Sequence, residues 1–331
     1  MKKHSIIIEA AILVLSLTVL LLGGCTSPTG NDGEPPGIQP VYPAIDGFPA
    51  WSPDGSKIIY MHYGIIKIYP GGMHDINPDL RGLWMINADG SNPHLLLQGW
   101  DVYAAWSPDG RWIAFERGKQ IYKVPVMGDS LDKSRIQQLT FAGENFYPAW
   151  SPDGEWIAYD SNAESPRGAN FIWKMKADGS GKRRIAYAST EGETRQPNWF
   201  PDNKMILHIR YLVNTYSSEI FTMDENGGNP LRLTFNNSTD YYPQYSSDGR
   251  KIVFESQSRN GGPPQIWIMN ADGSNPQPLT TKGGVEPSWS PDGTKILFCR
   301  YDFGKFDPHN GTVWVMNADG SNKRQLTYGP N

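Results

Sequence analysis

Six aspartates recur in nearly the same setting, and carboxylates repeated along a chain are natural candidates for acid–base or metal chemistry. They stand in W-S-P-D-G at residues 51–55, 106–110, 150–154 and 289–293, with variants at 199–203 and 245–249. Their neighbours argue for another role. Proline fixes φ, aspartate hydrogen-bonds the local backbone and glycine accepts positive φ, which together are the requirements of a tight turn. Asp54, Asp109, Asp153, Asp202, Asp248 and Asp292 are therefore read as turn residues, and the repeated tryptophans as filling between sheets.

The other chemically able residues are scattered. His62, His74 and His309 fall near Asp75, Asp79, Asp302 and Asp307, but without a fixed ligand spacing, so no metal site and no cofactor is expected. His208 occupies a strand position held elsewhere by aromatics and reads as a core histidine. The sequence contains no G-x-S-x-G, H-E-x-x-H or G-x-x-x-x-G-K-[ST]. No catalytic residue is assigned and the expectation is a protein that is not an enzyme. Net charge is −4, with no basic stripe to neutralise a phosphate backbone, so nucleic acid is not an expected partner.

The elements that would position these residues follow from the same repeat. Counting four residues on from each aspartate gives Ile58, Ile113, Ile157, Ile206, Ile252 and Ile296. Two further on stand Tyr60, Phe115, Tyr159, His208, Phe254 and Phe298, so a period-2 apolar strand follows each turn. A second apolar pair marks a third strand in each unit: Leu83-Trp84, Ile121-Tyr122, Ile172-Trp173, Ile220-Phe221, Ile266-Trp267 and Val313-Trp314. Asp-Gly turns and short segments such as Gln138-Leu139-Thr140 complete four strands in about 47 residues, a sheet too small to bury its faces without neighbours. The fold class is all-β, a six-bladed β-propeller of four-stranded antiparallel blades. Its repeats run over about 48–97, 103–140, 147–185, 196–234, 242–280 and 286–327, within a propeller domain at residues 47–331.

Ahead of the propeller, Lys2 and Lys3 precede an apolar run that ends in Leu22-Gly23-Gly24-Cys25, which resembles a bacterial lipobox. That resemblance implies a lipoprotein signal peptide at residues 1–24 and a lipid on Cys25. Residues 25–46, rich in Gly, Pro, Ser and Asn, read as a flexible tether. With Cys25 taken by the anchor, Cys299 is expected to be a small buried hydrophobe rather than half of a disulfide.

The W-S-P-D-G unit with its apolar strand, W-x-M, D-G and L-T resembles the WD40-like repeat of the TolB family over residues 48–327. The resemblance implies a propeller that binds an envelope protein of the peptidoglycan-associated lipoprotein type. TolB proteins carry an α/β domain ahead of the propeller, and none is expected here. The expected location is the periplasm or cell surface, held to the membrane through the lipid alone, at the outer membrane if the host has one, and the expected state is a monomer.

Strand order places the S-P-D-G and D-G turns on one face and loops of variable length on the other. Variable loops on a rigid scaffold are where recognition is built, and Tyr and Arg dominate binding hot spots. The expected partner-binding residues are Tyr63, Tyr103, Arg117, Tyr147, Arg195, Arg210, Tyr211, Tyr242, Arg300 and Tyr301, with Tyr103, Tyr147 and Tyr242 just above the channel. A carbohydrate-active or glycan-binding propeller, of the oligogalacturonate-lyase or surface-lipoprotein kind, is the alternative.

Overall fold

Six blade sheets make up the architecture, five built from strands consecutive in the chain and the first with a hairpin inserted between its second and third strands. The computed structural model describes residues 46–68, 74–165, 168–186, 192–212, 217–236, 238–257, 262–300 and 311–328. Residues 1–24, read above as a signal peptide, Cys25, nearly all of the expected tether at residues 25–46, and Tyr301 lie outside these residues.

The inner strands are Asp46–Trp51, Asp101–Trp106, Asn145–Trp150, Thr194–Trp199, Thr239–Tyr245 and Val285–Trp289. Each pairs antiparallel with the strand that follows its turn, and a third and a short outer strand complete the blade. Blade 2 carries an additional two-residue strand, Ser130–Leu131, and the short 3-10 helix Lys133–Arg135. Blade 1 carries an extra hairpin, Ile65–Ile68 paired with His74–Ile76, between its second and third strands.

The repeated residues form these elements for reasons visible at each turn. Ser52 Oγ donates to Asp54 Oδ1 at 2.6 Å and accepts from Lys57 N at 2.9 Å, while Ser56 N donates to Asp54 Oδ1. The serine–aspartate bond recurs at Ser107/Asp109, Ser151/Asp153, Ser246/Asp248 and Ser290/Asp292. Serine hydroxyls hold the Asp54, Asp248 and Asp292 carboxyls below the usual range, as befits acceptors fixed in a turn. The threonine of L-T acts just as locally. The hydroxyls of Thr140, Thr234, Thr280 and Thr327 accept from buried N–H groups of the third strand, at Ile121, Ile220, Ile266 and Val313.

The core is divided among the seams between blades. Ile59, Leu83 and Met85 of blade 1 pack with Ile113, Phe115 and Val124 of blade 2, and equivalent clusters fill the other seams. The six isoleucines in common register are all 0% exposed, so the repeat marks the positions that face neighbouring blades. Blade 6 closes on blade 1 through Leu297, Val313 and Val315 against Ile58 and Ile86, with Cys299 free and buried among them. The Asp-Gly turns and their variants fit the same seams closely. A Cβ at Gly227, where φ is +91°, would collide with the Ile185 carbonyl of the preceding blade.

Candidate functional site

Each inner strand is interrupted at the same point. Phe48, Tyr103, Tyr147, Gln196, Tyr242 and Glu286, each six residues before its turn aspartate, have φ between 49° and 57°. The ladder register breaks there in every blade, the mark of a β-bulge. Left-handed backbone at non-glycine residues costs on the order of 1 kcal/mol each and persists where surroundings enforce it. Here the return is convergence on the propeller axis. Phe48 and Tyr103 meet with ring centroids 4.5 Å apart, Tyr103 and Tyr147 at 3.9 Å, Tyr147 and Tyr242 at 6.0 Å, and Phe48 and Tyr242 at 6.1 Å. Four aromatic rings thus close the channel.

Gln196 and Glu286 complete this ring differently. Glu286 Oε2 accepts from Phe48 N at 2.7 Å and Gln196 Oε1 from Tyr242 N at 2.8 Å, so each holds the bulged backbone of the next blade. Glu286 N in turn donates to Glu255 Oε2 at 3.2 Å. Burial raises the Glu286 carboxyl to about 7, and burial together with Glu286 raises Glu255 to about 8. Asp160 is likewise raised to about 8 by burial, against the opposing pull of Arg195. His208 is lowered to about 3 by burial and by Arg210, against the opposing effect of a backbone hydrogen bond with Ile206. It is a core histidine, as expected.

On the turn side of the aromatic ring lies a cavity of about 320 Å³. Its wall runs from the ring residues through Ala50, Ala105, Ala149, Asn198, Gln244 and Ser288 to the prolines of the turns, Pro53 and Pro291. Asn198 and Gln244 are occupied in binding the next blade's backbone, at Tyr245 N and Trp289 N, which leaves a wall dominated by alanine, proline and tryptophan. Trp199 donates its indole N–H to Ala149 O at 3.1 Å, whereas those of Trp51, Trp106, Trp150 and Trp289 are buried without an acceptor. The site can take an apolar or proline-containing segment at the axis.

Of the residues singled out from sequence, Tyr103, Tyr147 and Tyr242 are brought together, in the aromatic ring. Of the rest, Tyr301 lies outside the described residues, and the others are engaged within blades or across their seams. Arg117 binds Asp101 through two hydrogen bonds of 2.6 and 2.7 Å and stacks over Phe115. Arg195 is buried beside Glu193, and Arg210 is buried over Phe221. Tyr63 packs edge-on against Trp100, Tyr211 lies near Tyr241, and Arg300 is over Trp314. Sequence reasoning missed Phe48, Gln196 and Glu286 as members of the ring, and the alanines beyond them. The usable signal was positional: proline follows the bulged residue in five blades, as Pro49, Pro148, Pro197, Pro243 and Pro287. Among the described residues no three His, Cys, Asp or Glu side chains are grouped to hold a metal.

Known proteins share this repeat and this architecture. The TolB beta propeller domain, PD40, matches residues 148–331, more than half of the chain. A protein of Agrobacterium fabrum is 41% identical over 91 residues, covering 27% of this chain and 30% of that protein. The Tol-Pal system protein TolB of Desulfosudis oleivorans is 32% identical over 76 residues, 23% of this chain and 17% of that one. The matched stretches thus span less than a third of these curated relatives. Among solved structures, a TolB-type protein from Agrobacterium tumefaciens superposes with a TM-score of 0.61 at 27% identity, over 72% of this chain and 84% of the other. By its repeat, its six blades and the matched domain, the chain belongs to the TolB β-propeller family.

Proposed function

We propose that this protein is a TolB-like binding scaffold of the cell envelope, tethered by a lipid on Cys25, that docks a protein partner at the mouth of its axial cavity. The observation that carries this reading is the cavity itself: about 320 Å³, walled by Trp, Pro and Ala, and closed at its base by four aromatic rings. Removing apolar surface from water at such a wall favours binding by about 25 cal/mol per Å² before the costs of association. A rigid floor adds preorganisation, since the bulged residues are held by backbone hydrogen bonds between blades. Support for an envelope setting comes from the lipobox-like Leu22-Gly23-Gly24-Cys25 and from the Tol-Pal relative.

The loop-face arginines contribute mainly to blade structure on this reading, because Arg117, Arg195, Arg210 and Arg300 are each engaged within the molecule. In-cell photocrosslinking tests the location. A photoreactive residue at Pro53 or Pro291, on the mouth, should yield a discrete adduct with an envelope protein. The same residue at exposed Leu231, on the outer rim, should not. Absence of adducts at the mouth, or the same adduct from Leu231, refutes docking there.

A further inference from the structure

A second cavity, of about 670 Å³, lies at the seam of blades 2 and 3 and shares no lining residue with the axial one. Three features of its wall point toward a ligand. Trp173 lines it, is 6% exposed, and has an indole N–H without an acceptor. The third-strand tryptophans of blades 1 and 6 are satisfied within their blades: Trp84 donates to Leu80 O at 2.8 Å and Trp314 to Thr312 Oγ1 at 2.9 Å. In blade 3 the position of Thr312 is held by Phe171, so the hydroxyl that would take the proton is missing. A buried donor left unpaired costs about 1–3 kcal/mol, a cost that an acceptor from outside would relieve.

The second feature is Tyr159, directly across the ladder from Trp173 and also on the wall. Blades 2, 5 and 6 have Phe115, Phe254 and Phe298 at this position, so blade 3 adds a hydroxyl where those blades have plain aromatic packing. The third is Phe141, on the wall and 74% exposed, an aromatic face that burial in the fold does not explain. Asn162, Glu164 and Lys182 add polar groups to the lining. The volume lies within the range of about 300–1,000 Å³ typical of small-molecule sites.

We infer that this seam is a saccharide-binding site, with Phe141 stacking on a pyranose face and the Trp173 indole N–H donating to the carbonyl of an acetamido substituent. An acetamido oxygen supplies the missing acceptor, and ring hydroxyls suit Asn162 and Glu164. An extended peptide is the poorer match. Peptides that add to sheets bind along an unpaired edge, and the outer strand Arg183–Arg184 is not part of this wall. The occupant is therefore an N-acetylated hexosamine unit, free or within a polymer.

Titration of the full chain with the β-1,4-linked trisaccharide of N-acetylglucosamine, observed through its tryptophan indole N–H resonances, tests this directly. The Trp173 signal, assigned by its loss in Trp173→Phe, should shift on addition of the sugar. Maltotriose, which lacks acetamido groups, should leave it in place. Phe141→Ala, at an exposed position that leaves the fold intact, should weaken binding about tenfold, and Trp173→Phe should weaken it similarly. No shift at millimolar trisaccharide, an equal shift with maltotriose, or undiminished affinity in Phe141→Ala overturns the inference. Failure here leaves docking at the axial mouth untouched, since that is read by crosslinking at other residues.

Discussion

Glu255 carries an electrostatic cost that its position explains. Burial and the neighbouring Glu286 carboxyl make it keep its proton to about 8, against the opposing pull of the Glu286 N–H that it accepts. A carboxyl whose pKa is raised by folding binds its proton more tightly in the native state. Its stabilisation is therefore complete below the unfolded value near 4.5 and is lost as pH rises toward about 8. The turn aspartates have the opposite sign, but their contribution changes at lower pH and does not compete in this window. Buried neutral His208 adds stability as pH rises to about 6.5, so wild-type protein should lose thermal stability between about pH 6.5 and pH 8. Glu255→Gln, which keeps an acceptor oxygen, should lose on the order of 1 kcal/mol less over that range, measured by melting temperature at each pH. Equal slopes for the two proteins contradict this account. Glu255 could not be recognised from sequence, because it takes its meaning from Glu286, 31 residues away and in the next blade.

Strands, by contrast, were largely legible. The isoleucine register and the third-strand apolar pairs mark strands, and the second strands are buried on both faces, as Ile58, Ile59, Tyr60 and Met61 show, which a short sheet between two neighbours requires. What escaped was the bulge. Tyr103, Tyr147 and Tyr242 stood out as aromatics, while Phe48, Gln196 and Glu286 share their backbone conformation but not their chemistry. Position rather than residue type unites the six. The closing L-T element shows local chemistry fixing an element end: the Thr234 hydroxyl accepts the buried Ile220 N–H at 2.9 Å. Thr234→Val retains the shape and removes the acceptor. Urea denaturation should show a loss of about 1–3 kcal/mol, with faster amide exchange at Ile220, while Thr→Val at an exposed site should change little. An unchanged midpoint contradicts the role given to this threonine.

At the scale of the whole molecule, the ring closes by packing and hydrogen bonds rather than by strand exchange among the described residues. Asp46 N donates to Gly311 O at 2.9 Å, and Arg324 Nη1 donates to Asp89 O at 2.9 Å, each between blades 1 and 6. Repeats complete in sequence did not demand strand exchange, but the way the ring closes was not legible there. Nor was the position of the open cavity, because it depends on where six bulges converge and on how the loop-face side chains pack, which are properties of the assembled ring. Ala105 offers the most direct test of docking at the axis. It lines the cavity, and a phenylalanine there would occupy the space a partner needs. In protein carrying the photoreactive residue at Pro291, Ala105→Phe should abolish the envelope adduct while the melting temperature and the β-sheet circular dichroism stay near wild type. A persisting adduct in this well-folded variant would contradict the claim that the axial cavity receives the partner.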